Sequence, residues 1–323
     1  MSTNFPNGVS SYGVPLNGNG IPATSGSVLF VNYTDGNDGV SIKSNSIRRA
    51  FKTVAKAYDM ATTNKNDVIA LVGNATHVLT EMLTVAKNRV HFVGLDCASR
   101  KYGQGAKISL GITGVATNLG TIKNTGIRNS FQNIKIENSD TVAQGLYTFL
   151  DAGEYLYMRG CELYKETFLT TTGAAELVAN GDSAQFDGCT IGNDASIITG
   201  AIIRPNVTMT KELAGTGKKA IDNSFTNCLF LRASGHVNNR FIYGANADDT
   251  VRMLLIDNCI FFSGKNSTAL PAQCVGFAAE QTGAWTLIRN CSSIGNTKIS
   301  TTAGVYIDGP TAVYATSGIA LAA

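Results

Sequence analysis

Phe225-Thr226-Asn227-Cys228-Leu229-Phe230 and Ile256-Asp257-Asn258-Cys259-Ile260-Phe261 are two copies of one unit. The unit reads apolar, any residue, Asn or Gly, Cys, any residue, apolar. It recurs at Met158-Arg159-Gly160-Cys161-Glu162-Leu163 and at Phe186-Asp187-Gly188-Cys189-Thr190-Ile191. An earlier copy, Phe131-Gln132-Asn133-Ile134-Lys135-Ile136, has Ile in the fourth place. A later one, Ile288-Arg289-Asn290-Cys291-Ser292-Ser293, degrades at its end. The fourth positions are 27, 28, 39, 31 and 32 residues apart.

Periods of this length signal solenoids or propellers. A propeller blade needs four strands in about 40 residues and would repeat more regularly. A coil of parallel β-helix needs only short strands plus whatever loop that coil carries. Variable intervals around a constant strand motif fit the second, a right-handed single-stranded parallel β-helix. Coils stack about 4.8 Å apart, so equivalent positions form columns along the axis. Cys161, Cys189, Cys228, Cys259 and Cys291 are therefore expected to form an inward ladder of small, polarizable side chains. Asn133, Asn227, Asn258 and Asn290 mark the adjoining bend, because Asn tolerates unusual backbone angles. One thiol per coil, with no His beside it, argues for packing and against a metal site.

The rest of the chain agrees. Of 323 residues, 15% are charged, and Lys+Arg 26 against Asp+Glu 23 leaves a net charge of +3. Gly, Thr, Asn and Ser supply over a third of the chain. Long-helix, coiled-coil and polyelectrolyte classes are excluded by this composition. The longest basic clusters are Arg48-Arg49 and Lys218-Lys219, too short for the basic stripe of a nucleic-acid binder. No stretch approaches 18 apolar residues, so no membrane partner is expected. The seven cysteines form no CxxC pair and read as reduced thiols.

Residues 1–26 read as an extended N-terminal arm, broken by Pro6, Pro15, Pro22 and by Asn-Gly pairs. Phe5, Val9, Tyr12, Val14, Leu16 and Ile21 give it apolar contacts for a partner. The β-helix domain is expected over 27–323. One amphipathic helix is expected at about 46–62, with Ile47, Ala50, Phe51, Val54, Tyr58 and Ala61 on its apolar face, Ser46 as N-cap and Asn64 at its end. Residues 111–126 and 199–221 are expected to be long loops.

Two stretches carry a resemblance. Phe30-Val31-Asn32, Asp35-Gly36-Asn37-Asp38-Gly39, Arg49-Ala50-Phe51-Lys52-Thr53 and Asp67-Val68-Ile69 together resemble the opening of right-handed parallel β-helix proteins of the pectin-lyase-like superfamily. That resemblance implies a helix capping the open end of the solenoid, and it extends over residues 27 to 310. Asn4-Phe5-Pro6-Asn7-Gly8-Val9 resembles the start of many tailed-bacteriophage virion proteins.

Fold does not decide function. Family hydrolases carry Asn-x-Asp, Asp-Asp, Gly-His-Gly and Arg-x-Lys on successive coils. Here Asp248-Asp249 sits in a turn, Gly235-His236 is followed by Val237 and lies upstream of the acids, and no Arg-x-Lys falls in register. Asp182, Asp187, Glu162, Glu166, Asp151 and Glu154 are scattered, so neither the facing carboxylates of hydrolysis nor a calcium column is expected. His77 and His91 read as locally hydrogen-bonded residues, and Trp285 as a core or coil-end residue. Tyr155-Leu156-Tyr157 places two tyrosines on one face, as a groove or a subunit contact.

The expectation is a non-enzymatic structural virion protein without cofactor or metal: a capsid-surface decoration or stabilising β-helix attached through its arm. Its expected partners are other copies of itself, as a homotrimer, and a major capsid or other virion protein. It would be made in the host cytoplasm, because the N-terminus has no signal-peptide pattern. The alternative is a phage tailspike or fibre that binds or depolymerises host surface polysaccharide, which would make a glycan the partner.

Overall fold

A computed structural model describes residues 9–11, 14–16, 24–73, 75–95, 105–110, 120–139, 146–165, 174–198, 204–209, 220–234, 237–246, 248–264, 270–308, 312–314 and 320–321. The chain winds through three sheets in a fixed order, one strand per sheet per coil. Sheet 1 has ten parallel strands, from Val28–Val31 to Val305–Asp308. Sheet 2 has nine parallel strands, from Thr76–Leu79 to Ala312–Tyr314, and is closed by a tenth, antiparallel strand, Ala320–Leu321. Sheet 3 has seven, from Leu83–Val85 to Val275–Phe277. This is a single-stranded parallel β-helix, right-handed as parallel crossovers require.

The repeat unit sits where sheet 1 turns into sheet 2. Phe131, Met158, Phe186, Phe225, Ile256 and Ile288 are in register in sheet 1 and fully buried. Two residues later the chain bends. Asn133, Gly160, Gly188, Asn227, Asn258 and Asn290 all have φ between +51° and +60°. That left-handed region costs most residues about 1–2 kcal/mol, and Gly and Asn least, which explains the third position of the motif. The core also contains stacked rings, with Phe92 and Phe131 centroids 4.7 Å apart and Phe186 and Phe225 4.8 Å apart. Such pairs add about 0.5–1.5 kcal/mol each beyond area burial.

The helix is shorter than the periodicity suggests and starts later, at Val54–Met60. Thr53, not Ser46, is the N-cap, and its Oγ1 accepts from the Lys56 N–H at 3.1 Å. The start is fixed by Asp38, whose carboxylate accepts from the N–H groups of Lys52 and Thr53 and from Thr53 Oγ1. Phe51 instead pairs with Val31, so the preceding residues extend the sheet. Ser46 belongs to a tight turn with Arg49, and Ile47 is exposed. Val54, Ala57, Tyr58 and Ala61 do pack on the core at the end of the stack.

Gly120–Asn124 and Val207–Met209 are strands of sheet 3, so neither expected loop is loop throughout. Residues 111–119, 199–203 and 210–219 of those stretches lie outside the described residues. In the arm, Val9–Ser11 and Val14–Leu16 form a two-stranded antiparallel ladder rather than a simple extended strap. Phe5, Tyr12 and Ile21 lie outside the described residues.

Candidate functional site

Side chains on sheet 1 alternate between core and solvent, which generates an outward column: Val68, His91, Ser130, Tyr157, Gln185, Ser224, Leu255, Leu287, Tyr306. The first four of these floor a groove of about 440 Å³, completed by Thr24, Ser25, Asn66, Arg128, Asn129, Gln132 and Tyr155. Arg128 and Tyr155 enter it from the bend that leads into sheet 1, with φ of +59° and +55°. The same left-handed bend recurs in neighbouring coils at Arg89, Ser183, Asp222 and Arg252, so it belongs to the coil geometry that brings these side chains to the face. The Arg128 guanidinium lies over the Tyr155 ring, 5.6 Å from its centroid. His91 Nδ1 and Ser130 Oγ are 2.9 Å apart. Burial lowers the His91 pKa, partly offset by Asp67. The groove thus presents a guanidinium, a neutral imidazole, two tyrosines and several amide and hydroxyl groups, and among the described residues no carboxylate lines it.

The sequence pointed to Tyr155 and Tyr157, and both line the groove while Leu156 is buried between them. It did not single out Arg128, Ser130 or Gln132. The signal available was register: Ser130 and Gln132 flank the inward Phe131 of the repeat.

The five ladder cysteines are buried at the corner between sheets 1 and 2. Each S–H has two carbonyls within reach, one two residues earlier in the chain and one on the inward residue one coil earlier: Phe131 for Cys161, Met158 for Cys189, Phe186 for Cys228, Phe225 for Cys259 and Ile256 for Cys291. Burial pushes the Cys161 thiol up to about 12. Cys274 is buried elsewhere, against Ser293 Oγ at 3.0 Å. Among the described residues no group of three or more His, Cys, Asp or Glu could hold a metal ion.

The other acids are held locally or along the axis. Asp249 is buried and accepts from the N–H and the Nδ2 of Asn246, within its own turn. Asp151 is buried and accepts from Asn124 Nδ2 and the Gly153 N–H. On the outer faces, Glu137 pairs with Lys107, Glu162 with Lys135, Asp187 with Arg159, Asp222 with Arg252 and Asp257 with Arg289. Every one of these pairs joins adjacent coils. Asp182 accepts from Ser183 Oγ, while His236 and Glu166 lie outside the described residues. His77 is buried against the Val72 carbonyl, 2.9 Å away.

Among the described residues one charged pair is inside. Arg232 Nη2 lies 3.0 Å from Glu176 Oε2, with both side chains almost fully buried. Arg232 Nε also donates to Asn206 Oδ1. Burial raises Glu176 to about 7, against the pull of Arg232 and Lys165.

Trp285 is neither core nor coil end. It is 63% exposed on the outer face of sheet 1, beside Tyr306 at 5.1 Å, because strand alternation sends the intervening Thr286 inward.

No protein-family model and no curated protein matches the chain. Solved structures similar to it are right-handed parallel β-helix proteins. The pectin methylesterase of Aspergillus niger in deglycosylated form superposes with a TM-score of 0.54 at 12% identity, over 92% of each chain. Its penultimately deglycosylated form gives 0.53 at 14% identity, again over 92% of each chain. A pectate lyase gives 0.51 at 13% identity, over 87% of this chain and 79% of its own. The likeness is one of fold, the single-stranded parallel β-helix.

Proposed function

We propose that this protein is a non-catalytic structural solenoid, a rigid body on a virion surface attached through its N-terminal segment. The observation that carries this reading is the use of the outer-face acids. Five of them are ion-paired to a cation one coil away. Pairs of this kind contribute little singly, but repeated from coil to coil on sheets 1 and 2 they oppose sliding of one coil on the next. Hydrolysis of a glycosidic bond would need two carboxylates facing one site, about 5–10 Å apart. The outer face uses five of its carboxylates as rungs, and among the described residues its groove contains none. The virion assignment rests on Asn4-Phe5-Pro6-Asn7-Gly8-Val9 and its resemblance to phage virion proteins.

The test is attachment. Full-length protein is expected to sediment with purified particles, and a chain lacking residues 1–26 is expected to stay folded and remain in solution. Release of reducing ends from host polysaccharide by the purified protein would overturn the reading.

The groove favours a second reading, saccharide recognition by Tyr155 and Tyr157, whose rings offer apolar faces beside polar groups. Binding to a glycan panel that is lost in Tyr155→Ala would support it.

A further inference from the structure

The outer face of sheet 1 differs at its two ends. Over the second to fifth strands lies the groove, with Arg128 and Tyr155 at its upstream side. Over the eighth to tenth strands lies an apolar ridge of Met253, Leu255, Trp285, Leu287 and Tyr306. Met253, Trp285 and Tyr306 are 43%, 63% and 49% exposed. At about 4.8 Å per strand, groove and ridge are centred about 26 Å apart on one face.

Their positions along the strands coincide. Tyr157 and Ser130 share the outward column with Leu255, Leu287 and Tyr306. Arg128 and Tyr155 stand two residues before that column, and so do Met253 and Trp285. A two-fold axis lying in the face along the strand direction leaves position along the strand unchanged and reverses the order of the coils. Placed near the sixth strand, at Gln185, it lays the ridge of one copy over the groove of the other. Both contacts form at once, as a closed isologous interface requires.

The chemistry matches as well as the geometry. Among the described residues Arg128 has no carboxylate partner, and the ridge offers aromatic faces that a guanidinium can stack on. Trp, Tyr and Arg are the residue types that dominate interface energetics. Between the two ends, Gln185 and Ser224 present polar side chains with no aromatic ring, which allows the faces to approach.

We propose that two copies of this chain pack outer face to outer face through sheet 1, antiparallel along the solenoid axis, with Trp285 and Tyr306 of each copy seated in the Arg128–Tyr155–Tyr157 groove of the other.

Sedimentation equilibrium of the full chain tests this directly. The expected result is a dimer. Trp285→Ser and Arg128→Ser, both at solvent-facing positions, should each raise the dissociation constant at least tenfold without changing the circular dichroism or the melting temperature. A mixture of Arg128→Cys chains with Trp285→Cys chains should give a dimer with a short thiol cross-linker, whereas either chain alone should not. A monomer at all concentrations, with or without saccharide bound, overturns the proposal. So does a trimer, or a dimer that both serine variants leave intact.

Discussion

The backbone N–H of Cys228 points at the sulfur of Cys259, 3.4 Å away and one coil further along the axis. The same contact, at the same 3.4 Å, joins the N–H of Cys259 to the sulfur of Cys291. The ladder is therefore more than a row of small side chains. Each thiol reaches a carbonyl of the coil before it, and Cys259 and Cys291 also accept from an amide of that same coil. Cys228→Asp would bury a carboxylate against the carbonyls of Phe186 and Thr226 with no cation beside it among the described residues. The expected outcome is loss of folding, or destabilisation of about 3–5 kcal/mol by chemical denaturation. Cys228→Ala, which removes only the sulfur and its weak bonds, should cost about 1–2 kcal/mol. Equal, small effects of the two would place Cys228 outside the core.

The bend beside the ladder gives a second prediction. Asn258 has φ +51° and donates from Nδ2 to Asn227 Oδ1 at 2.8 Å. Asn258→Gly keeps the backbone relaxed and should change stability by less than about 1 kcal/mol. Asn258→Val combines a β-branched side chain with the left-handed region and should cost about 2 kcal/mol or more. Thermal melts of the two variants make the comparison, and the order Gly above Val is the result to look for.

The repeat was legible because one corner of the coil obeys a strict backbone demand. Gly and Asn sit most easily at positive φ there, and in five of the six copies Cys follows on the inside of the turn, with Ile134 in the first. Sheet 3 has no such marker. Its strands Tyr147–Asp151 and Ala175–Ala179 are buried on both faces, so they lack the alternation that reveals a half-exposed strand. The Glu176–Arg232 pair was missed for a related reason: a charged residue near a strand end looks solvent-facing until its register is known. Trp285 was misread because bulk and aromaticity suggested core, while parity decided otherwise. The groove was half legible, since Tyr155 and Tyr157 showed an alternation but their neighbours come from other coils.

The helix start gives a third test. Asp38 Oδ1 accepts from two backbone N–H groups at 2.8 and 3.0 Å, and Oδ2 accepts from Thr53 Oγ1 at 2.8 Å. Asp38→Ala should lower stability by about 1–2 kcal/mol, the usual range for a lost N-terminal cap. Amide exchange should accelerate first over Lys52–Lys56. Unchanged protection there would show that the helix is held by its apolar face alone.

Glu176 supplies a pH dependence with a definite sign. Burial raises its folded pKa from 4.5 to about 7. The folded state therefore binds the proton more tightly than the unfolded state does. The stability contributed by this site is full below about pH 4.5 and is lost as pH rises through about 7. The difference is on the order of 3 kcal/mol. Glu176→Gln keeps the shape and removes the titration. Stability measured from pH 4.5 to 8 should fall more steeply in the native chain than in the variant. Parallel curves would mean that Arg232 and Lys165 hold Glu176 ionised throughout, and that the pair is an ordinary buried salt bridge.

On the proposed reading this solenoid is a body on a particle. The most direct measurement is electron cryo-microscopy of purified particles carrying the chain. The account predicts projections at the capsid surface with a rod-like body roughly 45 Å long, the span of ten stacked strands, that vanish when residues 1–26 are deleted. Particles that lack the chain altogether, or projections that persist after the deletion, would contradict it.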